Sequence, residues 1–185
     1  MKVIVSSNVD YFPTIYKNIS ECEVYSQNKD KFTFIVGGDQ FNKNKAFDNI
    51  IYTDINSMDL NGLIYLIEND FIHLGEDSFF YSQDTCGFGE KFFLLLNEKK
   101  KYTNARLFIN ARESMYMGIY NKSILKMHSK SILSFRNTSK NKYVMNNLKT
   151  SLVNNESFIL RNSDYICAKR IVSPPVDIYS NGVPG

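Results

Sequence analysis

The stretch "SFFYSQDTCGFGEKFF", from Ser78 to Phe93, holds the residue types that could do chemistry in this chain. An apolar run ends at Asp84, and Gly87 and Gly89 follow shortly after it. A carboxylate at the end of a buried strand can bind Mg²⁺ or Mn²⁺, and the glycines let the backbone approach a ligand closely. Asp is also a common residue of turns that end strands. The stretch alone leaves both interpretations of Asp84 open.

The elements that would position this stretch alternate between strand-like and helix-like segments. "KVIVSS", "KFTFIVGGD", "NIIYTD" and "DSFFYSQD" are typical of strands, and "DYFPTIYKNISEC", "SMDLNGLIYLIEND" and "GEKFFLLLNEKKK" show helical spacing. Ser57 and Asp59 are the predicted N-cap residues of the second of these helices. The alternation predicts a three-layer α/β/α sandwich around a mostly parallel sheet. We expect residues 1–185 to form one domain, which could belong to a longer protein.

The second half of the sequence is less regular. "ARLFIN" and "MYMGIYN" are typical of strands, and "KSILKMHSKSIL" and "SKNKYVMNNLKTSL" of helices. The tail "IVSPPVDIYSNGVPG" is rich in Pro and Gly, and we expect it to run over the surface.

Small polar residues end each of the four predicted parallel strands. In open α/β sheets, ligands bind outside the carboxyl ends of the strands, so these residues could form one polar crevice. Each is also an ordinary residue for leaving a strand. The strand ends are Ser6-Ser7-Asn8, Gly37-Gly38-Asp39, Thr53-Asp54 and Gln83-Asp84-Thr85.

Composition excludes several kinds of site. The net charge of +3 and the lack of clustered basic residues argue against nucleic acid as a partner. Neither a dinucleotide fingerprint, nor a P-loop, nor a nucleophile elbow is present, and the two histidines, His73 and His128, are too few for a His-rich metal site. No segment reaches the length of a membrane span. Three cysteines without CxxC spacing favour reduced thiols in a cytoplasmic compartment.

Three segments resemble a glycosyltransferase family with the GT-A fold, which carries a DxD-type motif at the end of its fourth strand. "FFYSQDTCGFGEKFF" is similar to the "HDTC…GxxF" segment of a small family from giant viruses and some microbes. "ESMYMGIYNKSIL" and "PPVDIYSNGVPG" are similar to that family's second signature and its tail. Cys86 stands where a full DxD has Asp, and Gln83 stands where related proteins often have His. For a viral protein, the cytoplasm would be that of the host.

The resemblance implies a role for each matching residue. Asp84 would hold Mn²⁺ or Mg²⁺ and the diphosphate of the donor, with Thr85 or the phosphates completing the metal site. Met117, Gly118 and Tyr120 would lie near the donor or acceptor sugar, although Met and Tyr on a strand are also typical of core packing. The residues that would line the nucleotide site are Ser6, Ser7, Asn8, Gly38, Asp39, Thr53, Asp54 and Asn61.

The implied reaction transfers a sugar from a nucleoside diphosphate donor, UDP rather than GDP, to a hydroxyl of a glycan or glycoprotein acceptor. An inverting enzyme needs a carboxylate base, for which Glu113 and Asp164 are candidates, and the Met-Gly strand favours a retaining enzyme. One alternative is a sugar nucleotidyltransferase, which the loop "SSNVDYFP" disfavours because it lacks Gly, Lys and Arg. Another is an inactive GT-A-like module that binds carbohydrate or partner proteins.

Overall fold

The computed structural model describes residues 1–38, 46–57, 60–84, 86–99, 117–136 and 168–170. The strands in these ranges are β1 (Lys2–Asn8), β2 (Phe32–Gly37), β3 (Ala46–Phe47), β4 (Ile50–Tyr52), β5 (Ser78–Gln83), β6 (Cys86–Phe88), β7 (Met117–Asn121) and β8 (Ala168–Arg170). The α-helices are α1 (Phe12–Ser20), α2 (Glu23–Gln27), α3 (Asn61–Glu68), α4 (Phe92–Lys99), α5 (Lys122–Met127) and α6 (Ser129–Leu133).

A mostly parallel sheet organises these elements, as the sequence predicts. Its strand order is β3-β4-β2-β1-β5-β7, and β4, β2, β1 and β5 run parallel to one another. β3 and β7 are antiparallel to their neighbours and lie at the two outer positions. β6 and β8 form a separate antiparallel pair. The chain is therefore an α/β protein whose parallel strands occupy the middle of the sheet.

Helices cover both faces of the sheet. Val3 and Val5 of β1 pack on one face in a cluster that contains apolar residues of α1, α2 and α4. Ile4 points to the opposite face and joins a cluster with residues of α3, α5 and α6. This alternation follows from the two-residue period of a strand. All six residues of β2, "FTFIVG", are buried, as expected for a strand covered on both sides.

Helix α1 follows β1, and its sequence explains both where the helix begins and which face it buries. Pro13 lies in the first turn, where its missing N–H removes no helical hydrogen bond. Phe12, Ile15 and Ile19 are buried at helical spacing, and the Phe12 ring meets the Phe34 ring edge-on with centroids 5.7 Å apart. The helix thereby packs its apolar face against the central strands.

The prediction that Ser57 caps α3 is wrong. The helix begins at Asn61 after Leu60, and no side-chain hydrogen bond caps it. The Ser57 hydroxyl instead donates to the Phe135 carbonyl oxygen at 2.8 Å, which fastens the turn after α6 to the loop after β4. The other predicted cap residue, Asp59, lies outside the described residues.

The segment predicted as a single helix from residue 122 to 133 is two short helices. His128 separates α5 from α6 with backbone angles of φ −97° and ψ 8°, which break the helical path. The strand predicted at 105–110, the helix predicted at 139–152 and most of the tail fall outside the described residues. Within the described ranges, no helix combines the length and the apolar character that crossing a membrane requires.

Candidate functional site

The carboxyl ends of four parallel strands meet at one end of the sheet, as the sequence predicts. Asn8 pairs with Gly37 across β1 and β2, and Ser6 pairs with Gln83 across β1 and β5. Because these pairs lie in register, Ser7 near the end of β1 lies in the same region as Gly38, Thr53 and Asp84, which follow β2, β4 and β5. Small and acidic side chains are thus gathered where ligands of α/β proteins bind.

The order of the strands reverses beside β1. From β1 the chain moves outward to β2 and then to β4, and β5 returns to the opposite side of β1. The connection to β5 runs through α3, on the face opposite α1. A crevice opens at such a reversal because neighbouring connections leave on opposite faces. The reversal therefore lies between the carboxyl ends of β1 and β5.

Ser7 and Asp84 are joined at this reversal. The Ser7 hydroxyl donates to Asp84 Oδ2 at 2.5 Å, and the Asp84 backbone N–H donates to the Ser6 carbonyl oxygen at 3.0 Å. Burial raises the pKa of the Asp84 carboxyl, and the hydrogen bond from Ser7 opposes part of that rise. No cationic side chain in the described part of the chain pairs with Asp84. The site thus contains a partly buried acid without a positive partner among those residues.

Asn61 is a structural residue rather than an exposed ligand-binding one. It is fully buried; its Nδ2 donates to the Ser7 carbonyl oxygen at 3.2 Å, and its Oδ1 accepts from the Ser57 N–H at 2.5 Å. A Cβ on Gly37 would overlap the Asn61 amide and the Ile55 carbonyl oxygen. Both ends of the Asn61 amide are therefore engaged, and the amide supports the strand end that carries Ser7.

The Ser6 and Thr53 hydroxyls also hydrogen-bond the backbone. Both are almost fully buried. Ser6 Oγ accepts from the Gly62 N–H at 3.1 Å, which fastens the start of α3 to β1. Thr53 Oγ1 accepts from the Ile55 N–H at 3.3 Å and shapes the turn after β4. Ser6 and Thr53 were predicted to line the nucleotide site. Their hydroxyl oxygens instead accept backbone N–H groups and hold the chain in place at the carboxyl end of the sheet.

Asn8 and Gly38 shape the backbone that faces the crevice. Asn8 Oδ1 accepts from the Asp10 N–H at 3.1 Å, the local hydrogen bond by which Asn stabilises a turn. Gly38 has φ of 84°, a left-handed conformation that favours glycine, and a Cβ there would lie 2.8 Å from Asn8 Nδ2. The predicted positions are thus adjacent, and the glycine allows their close approach.

Tyr11 lies in the same region and the sequence did not single it out. Its N–H donates to the Asn8 carbonyl oxygen at 3.1 Å, and the Val9 N–H donates to the Gly37 carbonyl oxygen at 3.0 Å. The loop is therefore fixed by its backbone, yet the Tyr11 side chain is 63% exposed. Its position immediately after the first strand was the one available signal. A large aromatic surface is left in water next to the strand ends.

Asp54 is held by a cation from a distant part of the chain. Arg136 Nη2 lies 2.9 Å from Asp54 Oδ1, and Arg136 Nε lies 2.7 Å from Glu68 Oε1. The guanidinium therefore joins the loop after β4 to the end of α3. The sequence predicts Asp54 near the site but not Arg136, because nothing around the arginine indicates its partners.

Strand β7 brings part of its predicted sugar-binding segment to the site. It runs antiparallel to β5, so Met117 pairs with Ser82 and Gly118 pairs with Tyr81 near the carboxyl end of that strand. Tyr120 pairs with Phe79 deeper in the sheet and is 2% exposed. Core packing is therefore the role that the structure gives to Tyr120, whereas Met117 and Gly118 lie by the site.

Several predicted residues lie outside the described part of the chain: Asp39, Thr85, Glu113 and Asp164. Cys86, two residues after Asp84, begins β6, and β6 pairs with β8. Among the described residues, no group of three or more His, Cys, Asp or Glu side chains could hold a metal ion.

Comparisons with known proteins give no indication of the function of this chain. No protein-family model, curated protein or solved structure matches the chain. A functional proposal therefore depends on the carboxyl end of the sheet and on the resemblance of the sequence segments.

Proposed function

We propose that the chain is a GT-A-type glycosyltransferase that transfers a sugar from a UDP-type donor to an acceptor hydroxyl on a glycan or glycoprotein. The observation that carries the proposal is the partly buried Asp84 carboxylate, fixed by Ser7 where the strand order reverses. The GT-A layout that the sequence resembles places its acidic motif at the end of the fourth strand. Asp84 follows β5, the fourth parallel strand in chain order, which supports that assignment.

The nucleoside would lie across the ends of β4, β2 and β1. Neighbouring strands are about 4.8 Å apart, so Asp54 after β4 and Tyr11 after β1 are separated by about 10 Å in the direction across the sheet. A nucleoside can span that distance, with its base stacked on the exposed Tyr11 ring and its ribose near Asn8. The diphosphate then extends toward Asp84, one strand further along.

The residues present fit a divalent cation bound mainly by the donor. Mg²⁺ and Mn²⁺ in such sites take one or two protein carboxylates, and phosphates and waters supply the other ligands. Asp84 provides one carboxylate, and its burial without a described cationic partner favours a bound positive charge. When bound, the cation would stabilise the negative charge of the leaving diphosphate.

The chain's own residues would fix this arrangement before the donor binds. Ser7 holds one oxygen of Asp84, and Asn61 in turn holds the Ser7 carbonyl, so the carboxylate cannot swing freely. Met117 and Gly118 border the same end of β5 and leave little side-chain bulk at Gly118, where the donor sugar would lie. Such preorganisation reduces the ordering that must accompany the reaction.

A hydrolysis screen of nucleotide sugars tests the proposal. Purified protein is incubated with UDP- and GDP-sugars, with and without Mn²⁺, and release of the nucleoside diphosphate is measured. We expect turnover of a UDP-sugar that Mn²⁺ increases and that Asp84→Asn abolishes. Asp77→Asn is the matched control, because Asp77 is an exposed acid just before the amino end of the same strand. Turnover that survives in Asp84→Asn would contradict the proposal.

The inactive-module alternative gives a different result in the same screen. Cys86 replaces the second acid of a full DxD motif, and this departure is what favours a module without transfer activity. That reading predicts no nucleotide-sugar turnover under any metal condition, together with carbohydrate binding that is independent of Asp84.

A further inference from the structure

Arg136 joins three parts of the chain beside the nucleoside end of the proposed site. Its Nη2 lies 2.9 Å from Asp54 Oδ1 in the loop after β4, and its Nε lies 2.7 Å from Glu68 Oε1 at the end of α3. The Asp54 side chain is 23% exposed, and the other two are each 32% exposed. Ion pairs that are partly shielded from water are screened less by salt than pairs on an open surface. The three charged groups therefore form a fixed cluster.

The turn that carries Arg136 is itself anchored. The Arg136 N–H donates to the Leu133 carbonyl oxygen at 3.0 Å, which continues the path of α6. The neighbouring Phe135 is buried, and its carbonyl oxygen accepts from the Ser57 hydroxyl at 2.8 Å. The guanidinium thus reaches Asp54 from a backbone that is held on both sides of the contact.

The two carboxylates that bind Arg136 lie at different depths. Helix α3 begins at Asn61, whose amide contacts the end of β1, and Glu68 is the last residue of the helix. Seven residues of α-helix cover about 10 Å, so Glu68 lies well away from the strand ends. Asp54 directly follows the loop start after β4, at the end of the sheet where ligands of α/β proteins bind. Glu68 therefore anchors the guanidinium from behind, and Asp54 is the carboxylate next to the site.

Arg136 also balances a charge that would disfavour a nucleotide. A second carboxylate at the carboxyl end of the sheet repels the diphosphate that the proposed function brings there. The guanidinium of Arg136 cancels the charge of Asp54 through one oxygen. A carboxylate has about four acceptor positions, so the paired Asp54 keeps the capacity to accept a hydrogen bond from a ligand.

The segment from β7 to Arg136 borders both sides of the proposed site. It begins at Met117, which pairs with Ser82 near the carboxyl end of β5, and it returns through α5 and α6 to the loop after β4. In the sheet, β5 and β4 are separated by β1 and β2. One stretch of the chain thus contacts the sugar side through Met117 and the nucleoside side through Arg136.

We propose that Arg136 is a positioning residue for nucleotide binding, which holds the Asp54 carboxylate where it accepts a hydrogen bond from the nucleoside of the donor. The inference rests on the proposed function, because it needs a nucleoside across the ends of β4, β2 and β1. Asp54 contacts the ligand, and Arg136 acts through Asp54.

A double-mutant cycle, measured by calorimetric titration of UDP, tests this role. Arg136→Met keeps the aliphatic stem and removes the guanidinium, and we expect about tenfold weaker binding of UDP, the size of one lost hydrogen bond to a charged group. Asp54→Ala should weaken binding to a similar extent. Adding Arg136→Met to Asp54→Ala should weaken it by less than about twofold more, because no carboxylate is left to position.

Lys130→Met is the matched control. It removes the same charge from an exposed position of α6, and UDP affinity should stay within about twofold of wild type. If Arg136→Met does not fold, Arg136→Lys takes its place in the cycle. Lys keeps the charge but lacks the planar fork that joins two carboxylates, so the same non-additive result is expected.

Two results would overturn the proposal while wild-type protein still binds UDP. One is an unchanged UDP affinity in the Arg136 variant, which would leave Arg136 with a structural role only. The other is an Arg136 effect that persists in full in Asp54→Ala, which would mean that Arg136 acts independently of Asp54. Wild-type protein that binds no UDP would instead contradict the proposed function, and this inference with it.

Discussion

The Ser7 hydroxyl hydrogen-bonds the Asp84 carboxylate at 2.5 Å, although the two residues are 77 positions apart in the sequence. The bond links the ends of β1 and β5, the two neighbouring strands between which the chain changes direction across the sheet. It fixes an acid that burial disfavours in its ionised form. Ionisable residues whose pKa is shifted by burial are typical of functional sites.

Asp84→Asn should stabilise the free protein at neutral pH. Burial raises the folded-state pKa of Asp84 above its unfolded value of about 3.9. Its contribution to stability is therefore complete below that value and is lost as the pH rises through the folded-state pKa. Asn keeps an oxygen for Ser7 and carries no charge. We expect a higher Tm than wild type at pH 7 and no gain near pH 3, measured by thermal unfolding. A Tm at pH 7 equal to or below that of wild type would contradict this account of the site.

Asn61→Ala should be strongly destabilising. It leaves the buried Ser57 N–H and the Ser7 carbonyl oxygen without their Asn61 partner. We expect the free energy of unfolding to fall by about 2–4 kcal/mol, measured with urea. Asn97→Ala, on an exposed position of α4, is the control and should change it by less than about 0.5 kcal/mol. Equal effects of the two variants would show that the Asn61 amide does not support the strand end.

Gly37→Ala and Gly75→Ala form a matched pair. A Cβ at Gly37 would overlap the Asn61 side chain and the Ile55 carbonyl oxygen, and we expect a loss of at least about 2 kcal/mol of stability. A Cβ at Gly75 meets no atom within 4 Å. Because Ala also restricts the unfolded chain, Gly75→Ala should be neutral or stabilising by up to about 1 kcal/mol. Urea unfolding of both variants distinguishes the two, and a tolerated Gly37→Ala would disprove the close packing under the site.

Tyr11 should contribute to nucleotide binding without contributing to stability. Its side chain is 63% exposed, so Tyr11→Ala should leave Tm within a degree or two of wild type, a change of about 0.5 kcal/mol or less. Loss of a stacked base should weaken UDP affinity about tenfold, and Tyr11→Phe should retain it. Calorimetric titration of the three proteins measures this. Equal UDP affinity in Tyr11→Ala would show that the base binds elsewhere.

Sequence patterns predicted the parallel part of the fold because β1, β2, β4 and β5 are apolar runs that end at turn residues. The two-residue strand β3 could not be predicted, since two residues show no period. The orientation of β7 was equally hidden, because parallel and antiparallel strands share their residue types. The register of the paired strands then decides what meets at the carboxyl end of the sheet.

The candidate site was predicted only in part, because some of its contacts depend on which strands are neighbours. Asp84 is identifiable from its place at the end of an apolar run, whereas its partner Ser7 depends on which strands are neighbours. The structural role of Asn61 was not predictable, since its partner Ser7 is 54 residues away in sequence. Tyr11 looks the same in sequence whether its ring is buried, like that of adjacent Phe12, or exposed. Only the folded chain separates supporting residues from accessible ones.

Calorimetric titration of UDP tests the central claim most directly. Wild-type protein, Asp84→Asn and the Asp77→Asn control are titrated with UDP, with and without Mn²⁺. We predict binding to wild type and to Asp77→Asn that Mn²⁺ strengthens, and loss of the Mn²⁺ effect in Asp84→Asn. Absence of UDP binding to wild type under both conditions, or a Mn²⁺ effect that persists in Asp84→Asn, would contradict the assignment of Asp84 as the metal and diphosphate ligand.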